Sequence, residues 1–186
     1  TQVKIFKGHE AGIGDVRFLN DGRGVLSGDR LGQIRSWNID AAKAAWVSDG
    51  NKRGGITGLA IFPDGKRFVY SSDIGVAGVM DAGQGKNIKV FGEKKRGALH
   101  DVAVSRDGKY VLTGGDDKTI RLWEAGSGVE KMVYQGHEDG VISVCFSRDD
   151  QIVLSGSRDN TIRLWKTTSG EEIRAFRGHT FSVYSV

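Results

Sequence analysis

The pattern of apolar and polar positions is one of short runs broken by turn residues. Its clearest stretch lies near the C-terminal end. Val141 to Phe146, with apolar residues alternating at Val144 and Phe146, predicts a strand. Arg148-Asp149-Asp150 turns the chain, Ile152 to Ser155 predicts a second strand, and Thr161 to Trp165 a third. Thr167 to Gly170 is a further turn, followed by a fourth strand, Glu172 to Phe176, at the outer edge. The first turn recurs as Asn20-Asp21-Gly22, Pro63-Asp64-Gly65 and Arg106-Asp107-Gly108. Asp-Gly between strand-like runs is a strong hairpin signal, because Gly tolerates positive φ. No segment predicts a helix. Ala41 to Val47 is Ala-rich, but it is short and falls where the other segments place a turn and an outer strand.

The recurrence is regular. Thr113 to Trp123 matches Ser155 to Trp165 almost residue for residue, at an offset of 42 positions. Equivalent steps back reach Met80 and Trp37, each closing a weaker copy. A second anchor agrees: Gly8-His9, Gly136-His137 and Gly178-His179 share one place in the unit, and that place falls on Lys52 and Lys95 in the other two copies. The expected organisation is an outer strand over 1–7, four units over 8–50, 51–93, 94–135 and 136–177, and the start of another over 178–186.

Composition narrows the reading. Glycine occurs 28 times and proline once, which suits many tight turns between paired strands. No apolar stretch is long enough to span a membrane, and residues 1–10 hold no apolar run of the signal-peptide kind. The single cysteine, Cys145, excludes an intrachain disulfide and reads as a small buried hydrophobe; a reducing, cytoplasmic compartment is the expectation. The net charge of +4 permits contact with acidic partners without implying nucleic-acid binding.

The Gly-His pair, the run Ser155 to Trp165 and the period near 42 together resemble the WD-repeat (WD40) β-propeller family, over essentially the whole chain. The fold this implies is all-β, with four-stranded antiparallel blades belonging to a larger, seven-bladed ring of roughly 300 residues. The resemblance implies a non-catalytic scaffold for protein or peptide partners, with no cofactor. It also implies a hydrogen-bonded tetrad, complete in the fourth unit as His137, Ser155, Asp159 and Trp165. The third unit keeps Thr113, Asp117 and Trp123 but has Lys95 for the His. The first keeps His9, Ser27 and Trp37 but has Leu31 in the Asp position. The second keeps none, with Lys52, Tyr70, Ile74 and Met80. Four blades and a stub leave open strand edges, through which self-association is expected.

By the same resemblance, partners bind at the top face around the central channel. The positions carried over by phase are Arg30, Asp73, Asp116 and Arg158, with Thr57, His100, Ile142 and Tyr184. Other chemistry is weakly supported. His100-Asp101, with Ser105 nearby, is the most tempting catalytic group, but adjacent strand residues point to opposite faces. No catalytic or metal-ligating set is assigned, and the glycine-rich turns lack the following helix that a phosphate site needs. Lys94-Lys95-Arg96, preceded by Lys86 and Lys89, is the densest basic run. It offers nucleic acid or acidic lipid as an alternative partner, although no aromatic residues interleave with it for base stacking.

Overall fold

The computed structural model describes residues 4–48, 54–92 and 94–186. Lys52 and the boundaries expected near 50 and 93 lie outside the described residues. Sixteen strands form four antiparallel sheets, each of four strands in chain order. Blade one holds β1 (Ile13–Phe18), β2 (Gly24–Asp29), β3 (Ile34–Asn38) and β4 (Lys43–Ser48). Blade two holds β5 (Ile56–Ile61), β6 (Arg67–Ser72), β7 (Val76–Asp81) and β8 (Asn87–Gly92). Blade three holds β9 (Leu99–Val104), β10 (Tyr110–Gly115), β11 (Ile120–Glu124) and β12 (Glu130–Tyr134). Blade four holds β13 (Val141–Phe146), β14 (Ile152–Ser157), β15 (Ile162–Lys166) and β16 (Glu172–Phe176). The only helical element among the described residues is a single 3-10 turn, Lys94–Arg96. The expected all-β blade architecture is what the chain forms.

The turns explain the regularity of the hairpins. In the first turn of each blade an aspartate folds back on the backbone: Asp21, Asp64, Asp107 and Asp149 each accept the N–H two residues on. The next residue needs positive φ. Gly22, Gly65 and Gly108 supply it in three blades, and Asp150 adopts it at 59° in the fourth. Asp150 repays the conformation with its carboxylate, which accepts the Arg106 N–H of the neighbouring blade's turn at 2.8 Å.

The blades pack face to face, with the innermost strands β1, β5, β9 and β13 adjacent in that order. Three apolar cores lie between blades rather than within them. Leu26 and Ile34 of blade one meet Ile56, Leu59, Phe68, Tyr70 and Met80 of blade two. Phe62, Val69 and Phe91 meet Leu99, Val102, Val111 and Trp123. Leu112, Ile120 and Tyr134 meet Val141, Val144, Val153 and Trp165. Close approach depends on a small residue in each second strand: a Cβ on Gly114 would lie 2.8 Å from the Val141 side chain.

Both ends differ from the expected strand pattern. Residues 4–7 and 177–186 carry no strand, since neither has a neighbouring strand in the described chain with which to form a ladder. The C-terminal segment nevertheless takes the place of an innermost strand. Val183 and Val186 crowd Gly156 of blade four as Val141 and Val144 crowd Gly114 of blade three. The start of blade one shows the converse. Val16 is 52% exposed, whereas its equivalents Leu59, Val102 and Val144 are buried against a preceding blade.

Candidate functional site

The tetrad of blade four is a single directed chain. The Trp165 indole N–H donates to Ser155 Oγ at 2.9 Å, and Ser155 Oγ lies 2.8 Å from His137 Nε2. His137 Nδ1 lies 2.7 Å from Asp159 Oδ2. Burial holds the His137 pKa below its ordinary value, against the pull of Asp159. A neutral ring therefore donates from Nδ1 to the carboxylate and accepts the serine proton at Nε2. Asp159 stays ionised. Burial works against its charge, but the Thr161 hydroxyl, the Glu138 and Thr161 N–H groups and His137 hold it well below the usual carboxylate range.

Blade one closes the same chain with a residue the repeat phase does not select. Trp37 donates to Ser27 Oγ at 2.7 Å, and Ser27 Oγ lies 2.6 Å from His9 Nε2. His9 Nδ1 then meets Asp29 Oδ2 at 2.7 Å. The expectation that Leu31 leaves this tetrad open is thus corrected: Leu31 is 66% exposed and takes no part beyond its N–H, which Asp29 accepts. Asp29 stands two residues before the expected position, where blade four has Ser157. Asp29 is the last residue of β2 and Leu31 lies in the turn that follows, so the carboxylate reaches the imidazole from the strand end rather than from the turn.

Blades two and three solve the position differently. In blade three Lys95 is exposed, and Arg121 takes the place of the imidazole on the carboxylate, donating to Asp117 Oδ2 at 2.9 Å. Arg121 and Arg96 also share Glu130, at 2.8 and 2.9 Å. Blade two is apolar at its centre. Tyr70 and Met80 are fully buried, and the residue paired with Tyr70 is Gly78, where the other blades carry Arg35, Arg121 and Arg163. A Cβ on Gly78 would lie 2.6 Å from the Tyr70 ring. Losing the arginine leaves a trace: Asn87, placed like Glu130 and Glu172, has a buried Oδ1 without a hydrogen-bond partner.

Three expected top-face positions share a cause. Each innermost strand carries a bulge, and Thr57, His100 and Ile142 are the extra residues in β5, β9 and β13, as Gly14 is in β1. A bulge re-aims its side chain. All four border one open cavity of about 510 Å³ on the inner side of the arc, together with Tyr184. The bulge interrupts the strict alternation expected here, and His100 and Asp101 border the cavity along with Val102, Ala103 and Val104. His100 and Asp101 still engage separate partners, and Ser105 is bound to Asp107 in a turn.

His100, Asp116 and Arg158 come together. His100 Nε2 lies 2.6 Å from Asp116 Oδ1, and Arg158 donates to the same oxygen at 2.7 Å across the junction of blades three and four. Burial opposes the charge on Asp116, but these two partners hold its pKa below the usual range. Gly140 lies beside the pair, with room for a Cβ only 3.2 Å from the guanidinium. At the equivalent place Gly55 meets the backbone of Arg30 and the carboxylate of Asp73, which accepts the Gly55 N–H at 2.8 Å. Thr57 pairs with Ser71 at 2.9 Å. Tyr184 is 73% exposed and Ile142 half-buried.

The channel wall contains polar links between blades that the sequence reading missed. Asp15 Oδ2 accepts the Leu59 N–H of the next blade at 2.8 Å, and Asp101 Oδ2 accepts the Val144 N–H at 2.9 Å. Burial raises the Asp101 pKa, against the opposing pull of the Val144 and Val102 N–H groups, Ser143 and Arg17. Their signal is an acidic residue at one repeat position inside an apolar strand. Cys145 also borders the cavity and is half-buried rather than fully buried; burial and then Asp101 push its thiol up.

The family model for the WD domain, G-beta repeat, matches residues 1–38, 85–124 and 128–166, more than half of the chain. The chain belongs to the WD-repeat family. The match passes over residues 39–84, and that interval contains the first three strands of the blade with Tyr70 and Met80 in the Ser and Trp positions. No curated protein matches the chain. WD repeats are in general protein-interaction scaffolds. Among the described residues no group of three His, Cys, Asp or Glu side chains is placed to hold a metal ion, and no helix is long and apolar enough to cross a membrane. In this WD-repeat chain the basic run is also divided. Lys86 and Lys95 are exposed, Lys89 packs along the turn at Gly128, and Arg96 is paired with Glu130.

Proposed function

We propose that this chain is a non-catalytic scaffold that binds a peptide segment of a partner protein at the mouth of the inner cavity, over the junction of blades three and four. The observation that carries this reading is the His100–Asp116–Arg158 cluster, with both charges and an imidazole held at 2.6 and 2.7 Å, His100 on β9 and the other two on the turns after β10 and β14. Preorganised groups lose little freedom on binding, and arginine is a frequent anchor of interfaces. The cluster continues into the cavity through Ile142 and Tyr184, so a bound segment would meet polar groups and then apolar surface. A partner offering one acid to Arg158 and one base to Asp116, beside an apolar residue, has the matching chemistry.

Panning a random peptide library against the wild-type chain and against Arg158→Glu tests this. Peptides enriched on the wild type should bind the variant at least about tenfold more weakly, the effect of reversing one interfacial charge. Equal enrichment on both proteins overturns the assignment of this face.

A further inference from the structure

Each junction between blades is plugged by one residue of the outermost strand, and the three plugs differ. Trp46, Lys89 and Met132 occupy one register position, opposite Ser36, Val79 and Leu122. In each case the following blade's turn glycine lies against the plug: Gly85 on Trp46, Gly128 on Lys89 and Gly170 on Met132. At the first junction the space is filled by an indole. Trp46 stacks on Phe68 at 6.1 Å, and its N–H donates to the Ala82 carbonyl at 2.9 Å.

At the third junction the plug is smaller and a cavity of about 250 Å³ remains, lined by Tyr110, Leu122, Lys131, Met132, Thr167 and Thr168. Thr167 stands where the other junctions have Ala82 and Ala125, as their shared backbone hydrogen bonds show. Its carbonyl is taken by the Tyr134 hydroxyl at 3.0 Å, but its own Oγ1 is buried with no hydrogen-bond partner. The walls of the cavity are mostly apolar, which suits an apolar side chain as its occupant. The exposed Lys131 borders the same cavity.

We propose that this cavity receives one tyrosine or tryptophan side chain of a partner peptide, with an acidic neighbour of that residue at Lys131. The volume is below the range of pockets for drug-sized ligands, which suits a single side chain. The Met132 sulfur and the Tyr110 ring favour an aromatic occupant. The internal precedent is Trp46, an aromatic ring with one polar atom in the equivalent space. None of the lining residues belongs to the top-face cluster, so this site stands or falls independently of it.

The test uses acetyl-Glu-Trp-amide and acetyl-Lys-Trp-amide as probes, followed by the methyl resonance of Met132 and the amides of Thr167 and Thr168. The Glu peptide should shift these signals saturably, with Kd on the order of millimolar for so small a contact, and bind several-fold more tightly than the Lys peptide. Met132→Trp copies the first junction and should abolish the shifts at Thr167 and Thr168 while leaving the remaining spectrum folded. Lys131→Glu should reverse the preference between the peptides. Absence of any saturable shift overturns the proposal, as does unaltered binding by a folded Met132→Trp protein.

Discussion

Blades four and two present the same backbone with opposite interiors. Blade four joins Trp165, Ser155, His137 and Asp159 by hydrogen bonds of 2.7 to 2.9 Å. Blade two fills the corresponding place with Tyr70 and Met80, both at 0% exposure. The two solutions obey different rules. A polar chain works only if every member is satisfied, so it binds four residues together. An apolar plug works by volume, so it binds Tyr70 to the absence of a side chain at Gly78. The blade therefore tolerates loss of its signature residues, provided the replacements are consistent with one another.

The largest test of this contrast is Trp165→Ala, which removes a large buried ring and takes from Ser155 Oγ its indole donor; it should cost about 3–5 kcal/mol in denaturant melts. Met80→Ala lies at the same position in blade two and should cost about 2–3 kcal/mol, because it leaves no polar group unpaired. Equal midpoints for the two variants would break the comparison. Gly78→Ala comes next. Its Cβ would meet the Tyr70 ring, and overpacking of this kind costs about 1–3 kcal/mol. Gly126→Ala, with nothing within 4 Å, is the control and should be near neutral.

Asp29→Ala sharpens the account of blade one. It deprives His9 and the Leu31 and Gln33 N–H groups of their acceptor, and an unsatisfied buried group costs about 1–3 kcal/mol. Leu31→Asp, at the position the repeat phase selects, should leave the melt unchanged within about 0.5 kcal/mol. The smallest effect is a pH slope. Burial depresses the His137 pKa, so the unfolded chain takes up the proton first, near its ordinary value of about 6.5. The contribution of the neutral ring is full above that pH and declines as pH falls. Asp159, also depressed, adds a loss of the same sign below about 3.9. The midpoint difference between wild type and His137→Gln should thus shrink from pH 7 to pH 5. A constant difference would mean the ring is not neutral in the fold.

The blades themselves were legible in the sequence because their turns are chemically explicit. Asp-Gly pairs and a repeat near 42 residues locate all four sheets, and the fourth tetrad follows from phase alone. Phase fails where a side chain reaches the same space from another position. Asp29 does so from the end of β2, two residues before the turn position that phase selects. Arg121 does so from a neighbouring strand, where a guanidinium is long enough to replace an imidazole. Strict alternation fails at His100, because a one-residue bulge is invisible in a hydrophobic pattern. The convergence of His100, Asp116 and Arg158 was foreshadowed by their shared repeat positions, but their hydrogen bonding depends on how closely two blades approach.

The unequal plugs at the blade junctions also bear on how such an array reaches its final arrangement. Neighbouring units of similar sequence are prone to misassembly, in which one unit docks on the wrong copy. Trp46 requires the Phe68 ring beneath it, and the positions equivalent to Phe68 in blades three and four hold Val111 and Val153. Blade one therefore finds its full contact surface on blade two alone. The order of the units is written twice, once in chain connectivity and once in side chains that act as a lock for each neighbour.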